Sequence, residues 1–122
     1  MDENSYQLEQ QLQTLQKQQR EAETTLEALK REQNDQAWLE EDFSRICHEE
    51  QEAMAYLRDV WQSAKATSFG HYLEDVHEQE KANWRKQFQA KEAEMQTKLA
   101  SCQKTMHQLE NQQRSIRKEL IP

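Results

Sequence analysis

The residues in this chain whose types and spacing could do chemistry are few: four histidines, two cysteines and a helix-spaced Glu74-x-x-His77 pair. Glu-x-x-His is the spacing of a di-iron helix, where a carboxylate and an imidazole one turn apart point at the same metal. Such a site needs two of these pairs and two further carboxylates, and no other histidine here has a glutamate three residues before it. His48-Glu49 and His77-Glu78 lack the second histidine of a zinc-protease helix. Solvated histidines on helix faces are the reading that remains. A chain with one glycine cannot build a glycine-rich phosphate loop. Cys47 and Cys102 lie beside no basic cluster or helix start that would activate a thiol, and they form no spaced pair, so both read as seam residues in a reducing compartment. The expectation is a protein that is not an enzyme and takes no metal or cofactor.

The elements that carry these residues follow from composition. With 122 residues, 34% apolar and 32% charged, and with a mean hydropathy of -1.26, the chain is too polar to fill a compact globular core. Long helices with a thin apolar seam need far less. Many Gln, Glu and Lys residues, one Gly and one Pro favour helix, because these side chains lose little freedom there. Disordered chains of similar polarity are usually rich in Pro, Gly and Ser and lack a sustained heptad. A net charge of -7 excludes nucleic acid and anionic membrane as primary partners, since both require a basic footprint. Arg114, Arg117 and Lys118 read as a helix C-terminus matched to its dipole. No apolar run approaches the ~20 residues that span a bilayer, and Met-Asp-Glu-Asn-Ser does not begin a signal peptide, so the expected location is the cytoplasm.

Two rows of residues repeat at seven, offset by three and four. One is Leu8, Leu15, Ala22, Leu29, Gln36, Phe43, Glu50, Leu57 and Ala64; the other is Leu12, Gln19, Leu26, Gln33, Glu40, Cys47, Met54 and Trp61. This is the seam of a coiled-coil helix, spanning residues 5–66 and capped by Asn4 with Gln7. Past Ala64 the stripe changes phase, because the apolar residues become Phe69, Leu73 and Val76. Together with Gly70 and the caps Thr67 and Ser68, this predicts a turn over 67–70. A second helix is expected over 71–120, with a stutter through Leu73, Val76, Glu80, Trp84 and Phe88. Its later rows are Phe88, Met95, Cys102, Leu109 and Ile116, and Glu92, Leu99, Met106, Gln113 and Leu120. Asn34-Asp35 is the one point where a kink could interrupt the first helix, although the heptad keeps its phase through it.

The expected fold is therefore all-α: a single-domain antiparallel two-helix hairpin with long helices. A bend at 67–70 pairs residues whose numbers sum to about 138, so that Leu29 meets Leu109, Phe43 meets Met95 and Met54 meets Trp84. It leaves Leu8, Leu12 and Leu15 overhanging the second helix, and it holds Cys47 and Cys102 too far apart for a disulfide.

Up to Gln33 only the two seam rows are apolar. Beyond it a third row, Leu39, Ile46, Ala53 and Val60, widens the stripe, and a lone two-helix hairpin has no use for it. Three tryptophans, three phenylalanines, Tyr56 and Tyr72 all fall between 38 and 88. They could simply fill the hairpin's own tip, which suits Trp61, Phe69 and Trp84. The third row favours a docking face for another helical protein, made by Trp38, Leu39, Ile46, Ala53, Val60, Trp61, Phe69 and Tyr72.

An acidic helical hairpin with a tryptophan before the bend resembles the Trp-x-Gly hairpin proteins of Gram-positive type VII secretion. More closely, Leu39-Glu-Glu-Asp-Phe43, Trp61-Gln-Ser, Phe69 and Leu73-Glu-Asp resemble the small α-helical proteins that accompany LXG-type toxins. Ser63 stands where a Trp-x-Gly glycine would be, and Phe88-x-x-x-Glu92 is the nearest counterpart of the family's Tyr-x-x-x-Asp export signal. The resemblance implies a cytoplasmic partner that binds the helical targeting domain of a toxin, with or without a second small helical protein, and helps deliver it for export, either co-secreted with it or acting only as its stabilising partner. Two other classes fit the same periodicity. One is a type III or flagellar stalk-like escort; the other is a self-assembling structural coiled coil, in which copies of the chain cover one another.

Overall fold

The computed structural model describes residues 3–121. Two helices pack against each other as a hairpin, α1 over Glu3–Val60 and α2 over Ala64–Leu120, and there is no strand among the described residues. Glu3 in the first turn of α1 and Arg58 in its last, like Arg117 and Lys118 in the last turn of α2, complement the helix dipoles. Pro122 lies outside the described residues. α1 is unbroken through Asn34-Asp35.

The connection is Trp61–Ser63, inside the phase-change region but earlier than the expected turn at 67–70. Ser63 is the reason. Its Oγ accepts a hydrogen bond from the Ala66 amide at 3.1 Å, and its carbonyl accepts the first helical bond from the Thr67 amide at 2.9 Å. That is an N-cap, and it restarts the helix at once. Thr67 does not cap; its hydroxyl donates back to the Ser63 carbonyl from within the helix. Gly70 sits in the helix interior with ordinary φ, and a Cβ built there would meet nothing within 4 Å. The glycine is thus dispensable for the bend.

Moving the bend toward the N-terminus changes the register. Contacting residues on the two helices sum to between 124 and 132 rather than 138, as in Ala22 with Cys102, Phe43 with Trp84, Glu50 with His77 and Gln19 with Gln113. Phe43 therefore meets Trp84 and Phe88 instead of Met95. Leu29 shares a hollow with Thr97, Ser101 and Cys102 rather than facing Leu109, and Met54 lies beside Glu74 and His77 rather than Trp84. Leu8, Leu12 and Leu15 do not overhang: each is half-buried.

The hairpin divides into two compact units. The terminal unit combines the residues up to Glu32 with those from Glu94 onward; the connector unit is Gln33–Ala93. Within the terminal unit the α1 heptad is followed closely, with Leu8, Leu12, Leu15, Gln19, Ala22, Leu26 and Leu29 all half-buried. Opposite them Met95, Leu99, Cys102 and Leu109 form a buried row. Gln113, only 3% exposed, donates its amide to the Gln19 side-chain carbonyl, and the Cys102 thiol donates to the Ala22 carbonyl at 3.3 Å. A polar pair inside an otherwise apolar seam penalises any slip that separates its members, so Gln19 and Gln113 act as a register pin. Cys102 and Cys47 are both free thiols.

Candidate docking site

In the connector unit the same heptad covers less. Gln33, Gln36, Glu40, Phe43, Cys47 and Met54 turn inward, but Glu50, Leu57 and Trp61, also on the seam rows, are exposed. On α2 the inward positions include Ala66, Gly70, Leu73, Glu74, Val76, His77, Lys81 and Phe88. Val76 is half-buried as expected, whereas Lys91 takes the inward place expected for Glu92, and His77 is buried while Glu80 is exposed.

The unit is held by one aromatic cluster and two cross-helix polar pairs. Phe43, Trp84 and Phe88 pack with ring centroids 5.4 to 5.8 Å apart, within the range of favourable aromatic pairs. Arg58 on α1 pairs with Glu74 on α2 at the surface. His77 is 6% exposed, and its Nδ1 lies 2.8 Å from a Glu50 carboxylate oxygen. A carboxylate can only accept, so Nδ1 carries the proton and donates. His77 Nε2 is buried with no partner among the described residues. The solvated-face reading of this histidine is thereby corrected. Glu50, though on a seam row, is exposed, so nothing in the sequence alone demands a counterpart for it and the pairing shows only in the structure. Glu74, three residues before His77, turns to Arg58 instead of sharing a metal with it. Among the described residues no three His, Cys, Asp or Glu side chains converge as a metal cluster.

Two groups in this unit titrate abnormally. Glu40 faces Glu92 across the seam, and partial burial, followed by the hydrogen bond and like charge of Glu92, raises the Glu40 carboxyl above its usual range. Burial, reinforced by the negative charge of Glu50, pushes the Cys47 thiol up, which makes it a poor nucleophile.

All eight residues expected to form a docking face are exposed, Trp38 at 67% and Val60 at 63% among them. They fall into two groups. Leu39, Ile46, Ala53 and Val60 recur every seven residues along α1 and so share one stripe beside the seam, with Trp38 on the adjoining outward face. Trp61, Phe69 and Tyr72 come together at the connection, with Trp61 and Phe69 rings 6.3 Å apart and Phe69 and Tyr72 rings stacked at 6.4 Å. Trp61 and Phe69 line an open hollow of about 440 Å³ with Met54, Leu57, Ala66 and Leu73. Phe88 and Glu92, the export-signal-like pair, lie mid-helix: Phe88 is half-buried in the aromatic cluster and Glu92 hydrogen-bonds Glu40. No helix among the described residues is long and apolar enough to cross a membrane.

Compared with known proteins, no family model matches the chain, and no curated protein or solved structure matches it either.

Proposed function

We propose that this chain is a non-catalytic helical-hairpin partner protein that captures another helical protein through the connector unit. The observation that carries the reading is the row Leu39, Ile46, Ala53 and Val60, which runs along one face of α1 and stays exposed in the hairpin. Contiguous apolar surface of this kind on a soluble helix marks an interaction site more often than it marks idle surface. The aromatic group Trp61, Phe69 and Tyr72 adds anchors of the type that dominate helix-in-groove interfaces.

The partner this reading favours is the helical N-terminal domain of an LXG-type toxin, held in the cytoplasm for type VII export. The support is the resemblance of Leu39–Phe43, Trp61–Ser63, Phe69 and Leu73–Asp75 to the small helical partners of such toxins. The test is affinity capture from native cytoplasm with wild type, Ile46→Asp and Val60→Asp, followed by mass spectrometry. A toxin N-terminal domain retained by wild type and lost by both variants, with circular dichroism unchanged, is the expected result. Equal capture by all three removes the stripe as the docking face. A capture that depends on the stripe but brings down secretion-needle or flagellar subunits transfers the chain to the stalk-like escort class. A self-assembling structural coiled coil would instead give a stable homo-oligomer in light scattering that retains no other protein.

A further inference from the structure

The apolar stripe and the net charge of the chain lie on the same helix segment. Residues 33–60 of α1 carry eight Asp and Glu against Arg45 and Arg58, a net of -6 out of -7 for the whole chain. Residues 64–93 of α2, the other half of the connector unit, carry five acidic and five basic residues and are neutral. The surplus is also placed by row. On the helix surface the Leu39, Ile46, Ala53 and Val60 row is bordered on its outward side by Asp35, one turn from Leu39, and by Asp42, Glu49 and Tyr56, each one turn from two of its members. Arg45 is the one cation among them, and it is paired with Asp42 at 3.3 Å. The stripe is therefore an apolar strip with an acidic margin.

From this juxtaposition we infer that the occupant of the α1 face is a basic amphipathic helix, with apolar residues at heptad spacing and Lys or Arg flanking them, and that the acidic row Asp35, Asp42 and Glu49 selects it. The inference rests on the docking reading above and adds to it the chemistry of the partner. A partner helix laid on the stripe brings its flanking positions over the acidic row, the geometry by which charges beside a coiled-coil seam choose partner and orientation. An acidic helix would meet the carboxylates of Asp35 and Glu49, with Asp42 offset in part by Arg45, so the margin also rejects wrong partners. A second copy of this face is disfavoured for the same reason, because a symmetric pairing would place two segments of net -6 against each other.

The test uses the full chain and three synthetic helices of about four heptads. All share one leucine stripe and differ only in their flanking positions, which are Lys, Gln or Glu; binding is read by fluorescence anisotropy at low and high salt. The expected order is Lys tightest, then Gln, then Glu, with at least tenfold between the extremes at low salt and a narrower gap at high salt. Ile46→Asp should weaken the Lys and Gln peptides at least tenfold, and the double change Asp42→Lys with Glu49→Lys should reverse the order. If the three peptides bind equally well and Ile46→Asp still abolishes binding, the docking reading stands and the inference about charge is overturned. Absence of binding by the Lys peptide, or binding that ignores both sets of substitutions, also overturns it. So does a homodimer in sedimentation that Ile46→Asp dissolves, since a second copy then covers the face.

Discussion

The terminal unit and the connector unit are written in the same heptad, yet they place their large apolar side chains differently. Between Gln33 and Ala93 ten large hydrophobic residues are exposed, whereas in the terminal unit only Tyr6 and Ile121 are, among the described residues. The terminal unit buries Met95, Leu99, Cys102 and Leu109 against a plain two-row seam and fixes its register with Gln19 and Gln113. The connector unit holds itself together with an aromatic cluster and the pairing of buried His77 with exposed Glu50, and it leaves a whole apolar row outside. Two rows suffice to bury one helix against one other; a third row needs a third element. The difference teaches that the terminal unit covers its own large apolar side chains, whereas the connector unit leaves an apolar row exposed, the row to which the proposed partner is assigned.

Substitutions can break this contrast. Met95→Ala empties a site that is 2% exposed and should cost about 2–5 kcal/mol, seen as a large drop in the thermal midpoint. Ile46→Ala, about half exposed, should stay within about 0.5 kcal/mol in the same assay. Comparable losses at the two positions would mean that the stripe is part of the core.

Two changes sharpen the account of the bend. Ser63→Ala removes the N-cap of α2 and should cost about 1 kcal/mol by denaturant unfolding. Gly70→Ala should do the opposite and stabilise by roughly 1 kcal/mol, because the glycine lies in a helix with open space where its Cβ would be. A destabilised Gly70→Ala would return the bend to the glycine.

The smallest effect is electrostatic. The Glu40 carboxyl is raised in the folded state, so the folded chain holds that proton more tightly than the unfolded chain does. The sign follows from linkage: stability is gained as pH falls through the raised value, and it is lost as pH rises past it. Glu40→Gln should therefore stabilise the connector unit by about 0.5 kcal/mol at neutral pH, and the gain should fade as pH falls through the raised value and be gone below the ordinary value of 4.5. A gain that persists in acid would assign it to packing.

Much of the fold was legible because a heptad is a repeated signal. Leu8 through Cys47 were placed on the correct face of α1, since any single error is outvoted by its neighbours. The bend was less legible. Gly70 drew attention as the only glycine, whereas the break is made by Ser63, whose type and position are ordinary until its Oγ is seen on the Ala66 amide. Register followed the bend, so the error moved Phe43 from Trp84 to Met95. Glu50 and His77 illustrate the same limit, because each is conspicuous only once the other is opposite it. The exposed row at Leu39, Ile46, Ala53 and Val60 could be read early because surplus apolar residues on a helix are a property of one helix and need no register.

The measurement that tests the central claim most directly is amide hydrogen exchange on the full chain, with and without the Lys-flanked leucine helix, resolved by segment. The account predicts added protection concentrated in residues 39–60, and little change in 3–32 and 94–121. Added protection confined to the terminal unit, or none in 39–60, would contradict it.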